Sequence, residues 1–284
     1  MGKFYKAIPP ELIPWLLKQE VFWVATAPLS PEAHVNVSPK GVRDSFHVVS
    51  PTLVWYQDLT GSGIETISHL RENGRITIMF SAFEGPPRIV RLFGTGSVHE
   101  YGSPEYGALI PPEHRRPGSR AAIVIDVHKV GTSCGYAVPY YEFKGHRQTL
   151  LDYFDKRERA DQADPSAHAE KGLKAYWEEK NLRSIDRLPG LAHAPRVERT
   201  PDCREEMRRA DTPLGDVGER GGKKGIGHEH ASANGTAKTE RTRQEKVAVL
   251  VRAGLERQRV QEWVVAFALG LAVAAIYVQA AHIL

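Results

Sequence analysis

Residues 58–80 read DLTGSGIETISHLRENGRITIMF. Thr60-Gly61-Ser62-Gly63 packs two glycines and two hydroxyl residues into four positions. Glu65 to Glu72 has helical spacing and charge, and Ile76 to Phe83 returns as a strand. The apolar run Leu53 to Tyr56 precedes the turn as another strand. Strand, turn, helix and strand thus follow one another with short connections. The same grain extends outward. Val21 to Ala27, His34 to Ser38, Phe46 to Val49, Arg88 to Glu100 and Ala121 to Val130 read as strands divided by turn signals. Pro9-Pro10-Glu11 opens a short helix, Leu12 to Gln19. Many short strands and few helices make the folded part mainly β, a barrel or a sandwich.

The glycine-hydroxyl turn admits two readings. A helix N-terminus leaves backbone N–H groups unpaired and carries partial positive charge, so a glycine turn there can cradle an anion. Alternatively, Ser62 is the N-cap and Glu65 completes a capping box. The turn is not a Walker A loop, because no Lys follows the last Gly. Three cations lie near turns or strand starts: Lys40 in HVNVSPKG, and Arg88 and Arg91 in EGPPRIVRL. Arg88 and Arg91 differ in parity, so a regular strand sends them to opposite faces.

Composition excludes several classes. The 284 residues are 41% hydrophobic and 25% charged, enough apolar material for a core. A net charge of +4 over the whole chain does not argue for nucleic-acid binding. Cys134 and Cys203 form neither a disulfide framework nor a metal-ligand spacing. The closest histidines, His228 and His230, stand in a Gly-rich tract, and no metal site is expected. Cys134 is expected to be buried, and Tyr136, Tyr140 and Tyr141 to pack under the sheet.

The chain divides into a folded unit over 1–155, a helical extension over 156–187, a linker over 188–240 rich in Gly, Pro, Arg and Glu, and a helix over 241–262. Residues 263–284, WVVAFALGLAVAAIYVQAAHIL, contain no Asp, Glu, Lys or Arg and reach the length of a membrane span. Trp263 and Tyr277 stand as interfacial aromatics, and Arg252, Arg257 and Arg259 lie upstream. The expectation is a C-terminal transmembrane anchor, Trp263 to Leu284, with the preceding chain cytosolic; a buried core helix is the alternative. The N-terminal segment has no long apolar run and does not read as a secretory signal.

Three stretches carry a resemblance: VNVSPKG, the run from Asp58 through GRITIMF and EGPPRI, and SCGYAVPYYEF. Together they resemble the pyridoxamine 5′-phosphate oxidase-like flavin proteins, in a branch found in bacteria and fungi, over roughly residues 8–155. The resemblance implies a six-stranded split β-barrel, a homodimer and FMN at the subunit interface, with another flavin-type cofactor as the alternative. It implies Lys40 as a phosphate partner, Thr60, Gly61, Ser62 and Gly63 as the phosphate-facing loop, and Arg88 or Arg91 near the phosphate or the isoalloxazine. The oxidase's Ser-Arg-Lys run is absent; this chain reads Ser62-Gly63-Ile64 there. That departure argues against pyridoxamine phosphate as substrate. The implied function is an FMN-dependent oxidoreductase of unknown substrate, tethered to a membrane. The alternative is a flavin-binding or interaction module without turnover. No catalytic side chain is assigned.

Overall fold

The computed structural model describes residues 2–164, 170–198, 201–203 and 207. The expected anchor over 263–284, the helix over 241–262 and most of the linker lie outside the described residues. Among the described residues, no helix is long and apolar enough to cross a membrane.

Among the described residues, eight antiparallel strands form one sheet: β1 (Lys3–Tyr5), β2 (Phe22–Thr26), β3 (Asn36–Lys40), β4 (Phe46–Ser50), β5 (Leu53–Leu59), β6 (Arg75–Ser81), β7 (Ile89–Glu100) and β8 (Ser119–Ser133). Their order is β3-β2-β6-β7-β8-β5-β4, with β1 added on β8. The helices are α1 (Ile13–Leu17), α2 (Glu65–Asn73), α3 (Pro104–Leu109), α4 (Thr149–Ala163) and α5 (Leu173–Lys180). The expectation of a mainly β chain with flanking helices therefore holds. The resemblance implied six strands and the pattern of the sequence seven; the eighth, Lys3–Tyr5, is too short to show alternation.

The long strand β8 organises the sheet. Its run Ala121 to Ile125 is almost wholly buried, as a strand covered on both faces requires. It pairs with β7 along one side and with β5 along the other. Where β7 crosses β8 at the Phe93/Gly94 bulge, a Cβ on Gly94 would collide with Ile125 and the Asp126 carbonyl. Glycine is needed there for close backbone approach. The sheet curls until Phe46 on β4 meets Phe22 on β2 at 5.2 Å and Phe80 on β6 at 5.0 Å. Tyr56 on β5 joins this aromatic core, 5.5 Å from Phe22. The end strands β3 and β4 carry no ladder between them, so the barrel stays open along one seam.

Helix α2 follows the glycine-hydroxyl turn. Its N-cap is Ile64 with no side-chain cap bond, so the Ser62 capping box does not form. It ends at Gly74, left-handed at φ 70°, whose N–H reaches the Leu70 carbonyl.

The extension is part of the fold. The expected boundary at residue 155 falls inside α4. The linker expected from residue 188 begins later, since residues 188–198 and 201–203 lie against the sheet domain. Leu191, Ala194 and Cys203 are buried. Glu100 at the end of β7 explains the first part of this packing. Its carboxylate accepts the N–H groups of Ala192 (2.9 Å), His193 (2.8 Å) and Ala194 (2.7 Å), and it also pairs with Arg71. Glu158 of α4 accepts the Gly118 N–H at 2.7 Å and pairs with Arg115 at 2.7 Å, all three groups buried. Asp161 caps α5 by accepting the N–H groups of Leu173 and Lys174. Cys203 lies beside Glu158, and its thiol is pushed up to about 12 by burial first and then by that carboxylate.

Two other expectations are corrected. Cys134 is exposed, and so are Tyr136 (83%), Tyr140 (82%) and Tyr141 (59%). The chain after β8 leaves the sheet as an extended strap over residues 134–148, so these side chains do not enter the core. His146 fixes the far end of the strap against the Gly41 carbonyl at 3.0 Å.

Candidate cofactor site

Strand β5 has alternating inward positions, and Tyr56 and Asp58 share one of its faces. Asp58 is fully buried, and a buried carboxylate needs partners. It has two. Lys40, the last residue of β3, donates from Nζ to Oδ1 at 2.8 Å. Arg120, near the start of β8, donates from Nε to Oδ2 at 2.8 Å. Lys40 was expected in a turn; it ends a strand, and its register opposite Phe22 turns it into the barrel. The pair links β3 to β5 across the interior. Burial alone would raise the Asp58 carboxyl, but Arg120 and then Lys40 outweigh it and hold the group below the usual carboxylate range. Tyr56, beneath Lys40 at 5.9 Å, is driven well above its ordinary value by burial and then by Asp58.

The turn of Thr60 to Gly63 continues from Asp58. Thr60 is fully buried. Its hydroxyl donates to the Gly118 carbonyl at 2.6 Å and accepts the Trp177 indole N–H at 2.8 Å. The Gly61 carbonyl accepts from Asn181 Nδ2 at 3.0 Å. The Gly63 carbonyl accepts from Arg120 at 3.0 Å, and Arg120 also donates to Asn181 Oδ1. The Glu65 carboxylate lies where a Cβ on residue 63 would sit, and it accepts the Ile185 N–H at 3.2 Å. Ser62 alone of the two hydroxyl residues faces solvent.

The structure thus gathers Lys40 and Thr60–Gly63 into one cluster and leaves Arg88 and Arg91 elsewhere. Arg91 is opposite Met79, and Met79 opposite Trp23, so the three share the outer face of the sheet. All three are partly exposed. Arg91 reaches Ser133 Oγ at 3.4 Å. Arg88, just before β7, stacks over Trp15 at 5.5 Å. Phe83 stands edge-on to Trp23 at 5.9 Å, and Tyr141 of the strap stands edge-on to Phe83 at 5.0 Å. This outer surface is aromatic, carries a cation and is only half covered by its own chain.

Asp58, Arg120, Trp177 and Asn181 were missed in the sequence. Asp58 did leave a signal: a lone carboxylate in a wholly buried strand demands a cation, and Arg120 heads the apolar run Ala121 to Ile125. Trp177 and Asn181 left none: Thr60 and Gly61 lie 117 and 120 residues away, and Arg120 lies 61 away.

No protein-family model matches the chain. A pyridoxamine 5′-phosphate oxidase family protein, ustO of Aspergillus flavus, is 43% identical over 201 residues, covering 69% of this chain and 80% of the relative. Among solved structures, HupZ of Group A Streptococcus is 22% identical, covering 43% of this chain and 91% of its own, at a TM-score of 0.34. A Clostridium acetobutylicum protein related to general stress protein 26, of the pyridoxinephosphate oxidase family, is 11% identical, covering 44% and 86%, at a TM-score of 0.31. The identity to the Aspergillus protein places this chain in the pyridoxamine 5′-phosphate oxidase family.

A flavin mononucleotide has two ends to accommodate. Its flat ring fits an aromatic face bearing a cation, as Trp23, Met79 and Arg91 provide. Its phosphate does not fit the inner side of the glycine-hydroxyl turn, where Lys40 and Arg120 already hold Asp58 and the Thr60 hydroxyl is committed on both sides; Ser62 and Gly63 are exposed on the outer side.

Proposed function

We propose that the chain is a flavin-dependent oxidoreductase acting as a homodimer, with the isoalloxazine on the outer face of the sheet. The observation that carries this reading is the partly exposed row of Trp23, Met79 and Arg91, walled by Phe83 and Tyr141, in a chain of this family. A bound flavin supplies hydride and electron transfer. The protein's part is to bind, orient and shield it. Aromatic edges meet the ring plane favourably, and the Arg91 guanidinium favours negative charge on the ring beside it.

The purified full chain is expected to be yellow, with the near-ultraviolet and blue bands of oxidised flavin. Arg91→Ala should weaken flavin binding by about tenfold, the worth of one hydrogen bond to a charged group. A colourless protein that takes up no added flavin would end this reading. The alternative, a flavin-binding module without turnover, draws support from the neutralised cations at Asp58. Oxidation of a nicotinamide donor by the loaded protein separates the two.

The same face supports the second copy. Val37, opposite Ala25, is 62% exposed, and Phe4, against Gly131 and Phe93, is 67% exposed. Both flank the Trp23 row, and an apolar surface rimmed by charge marks an interface. The wild-type protein is expected to sediment as a dimer and Val37→Glu as a monomer, since the new carboxylate would be buried unpaired. A monomeric wild type would remove the dimer from the proposal.

A further inference from the structure

We propose that the strap over residues 134–148 is a gate along the outer-face site, with His146 as its latch, and that opening of this gate sets how fast a ring enters and leaves. This rests on the flavin reading above, and the occupant is the flavin ring.

The geometry carries the inference in three parts. The first is the strap's course. It leaves Ser133, the last residue of β8, and passes the start of β7, where a Cβ on Gly135 would lie 3.2 Å from the Arg88 backbone nitrogen. It then meets the turn between β6 and β7, through Tyr141 on the Phe83 carbonyl and Phe143 on Glu84. It reaches His146 beside Gly41, which follows β3, and Glu20, which precedes β2. The strap thus crosses the same end of five neighbouring strands, β8, β7, β6, β2 and β3. Trp23, Met79 and Arg91 lie one or two residues inside that end, so the strap runs along their row. The second part is a loosely held middle. The Tyr141 nitrogen is 3.4 Å from the Phe83 oxygen, and the Phe143 nitrogen is 3.5 Å from Glu84 Oε1. Both exceed the ordinary distance of about 2.9–3.0 Å. Tyr136, Tyr140, Tyr141 and Phe143 are exposed, and a segment with few buried contacts opens at low cost. The third part is the latch. The His146 side chain is only 8% exposed. Its Nδ1 lies 3.0 Å from the Gly41 oxygen, and its Nε2 lies 3.3 Å from Arg43 Nε and 3.2 Å from Glu20 Oε2. Nδ1–H donates to Gly41. Nε2 accepts from Arg43 when it carries no proton and donates to Glu20 when it does, so the ring keeps two bonds in either charge state.

The test is stopped-flow fluorescence of FMN with the full chain, since a closing segment of this kind sets release rates. His146→Ala is expected to raise the FMN release rate about tenfold, the worth of one to two hydrogen bonds. The association rate should rise with it and leave the dissociation constant within about threefold, because a freed gate speeds both directions. His146→Asn, which keeps a donor for Gly41, should fall between His146→Ala and wild type. An unchanged release rate in His146→Ala would overturn the gate and leave the flavin reading standing. A dissociation constant that rises as much as the release rate would also overturn it, making the strap a contact surface only. If FMN does not bind, both readings fail together. Hydrogen exchange of the flavin-free wild type guards against a variant that misfolds. Amides over 136–144 are expected to exchange faster than those of β7 and β8, and equal protection would overturn the gate by itself.

Discussion

Trp177→Ala is expected to destabilise the protein by about 3–5 kcal/mol, the range for removing a large aromatic side chain from a core. Trp177 lies in a helix whose sequence looks like a charged surface segment, yet none of its side chain is exposed. It touches Tyr101, and its indole N–H bonds Thr60. The substitution therefore opens a cavity between the extension and the sheet domain, and it removes a donor from a buried hydroxyl. Trp177→Phe should recover most of the volume and lose chiefly the hydrogen bond, about 1 kcal/mol. Urea unfolding followed by circular dichroism measures both. A Trp177→Ala protein as stable as wild type would mean that α5 only rests on the barrel.

Asp58→Asn is expected to cost a similar amount, about 3–5 kcal/mol at neutral pH, because buried Arg120 and partly buried Lys40 lose their shared counterion. It should also change the dependence on acid. The folded-state carboxyl lies below its ordinary unfolded value. Between those two values the unfolded chain binds the proton and the folded chain does not. The stabilisation from Asp58 is therefore complete above the ordinary carboxylate range and is lost as pH falls through the folded value. Wild type should lose stability across that acid window, and Asp58→Asn should lose less there. Parallel acid limbs for the two proteins would assign the acid sensitivity to other carboxylates.

The strands and α2 were legible because their signals are local. Alternation in 22–26, the helical spacing of 65–72 and the apolar run of β8 each act within a few residues. The extension was not legible, since its anchoring residues are spaced far apart in a polar tract: Leu173, Trp177, Leu191 and Ala194. Their partners, Thr60, Glu100 and Ile64, belong to distant strands and turns, and only the topology brings them close. The candidate site was half legible. Lys40 and the glycine-hydroxyl turn, which the resemblance assigned together to a phosphate, do meet in one cluster, but the carboxylate between the cations was not seen. Without it a cluster of donors looks like a place for phosphate. Strand parity does not settle Arg88, which lies just before β7 and stacks over Trp15.

The Glu100 carboxylate, which gathers three consecutive amides from residues 192–194, also bears on how this fold can travel between proteins. A barrel cut at its last strand would carry away Glu100, Arg115 and Thr60 but leave behind the amides of residues 192–194, Glu158 and the Trp177 indole that also satisfy them. Recombination or gene fission at residue 150 would thus yield a shell with unmatched interior charges. The unit that satisfies its own interior is thus the barrel together with the helices and segments packed on it after residue 148.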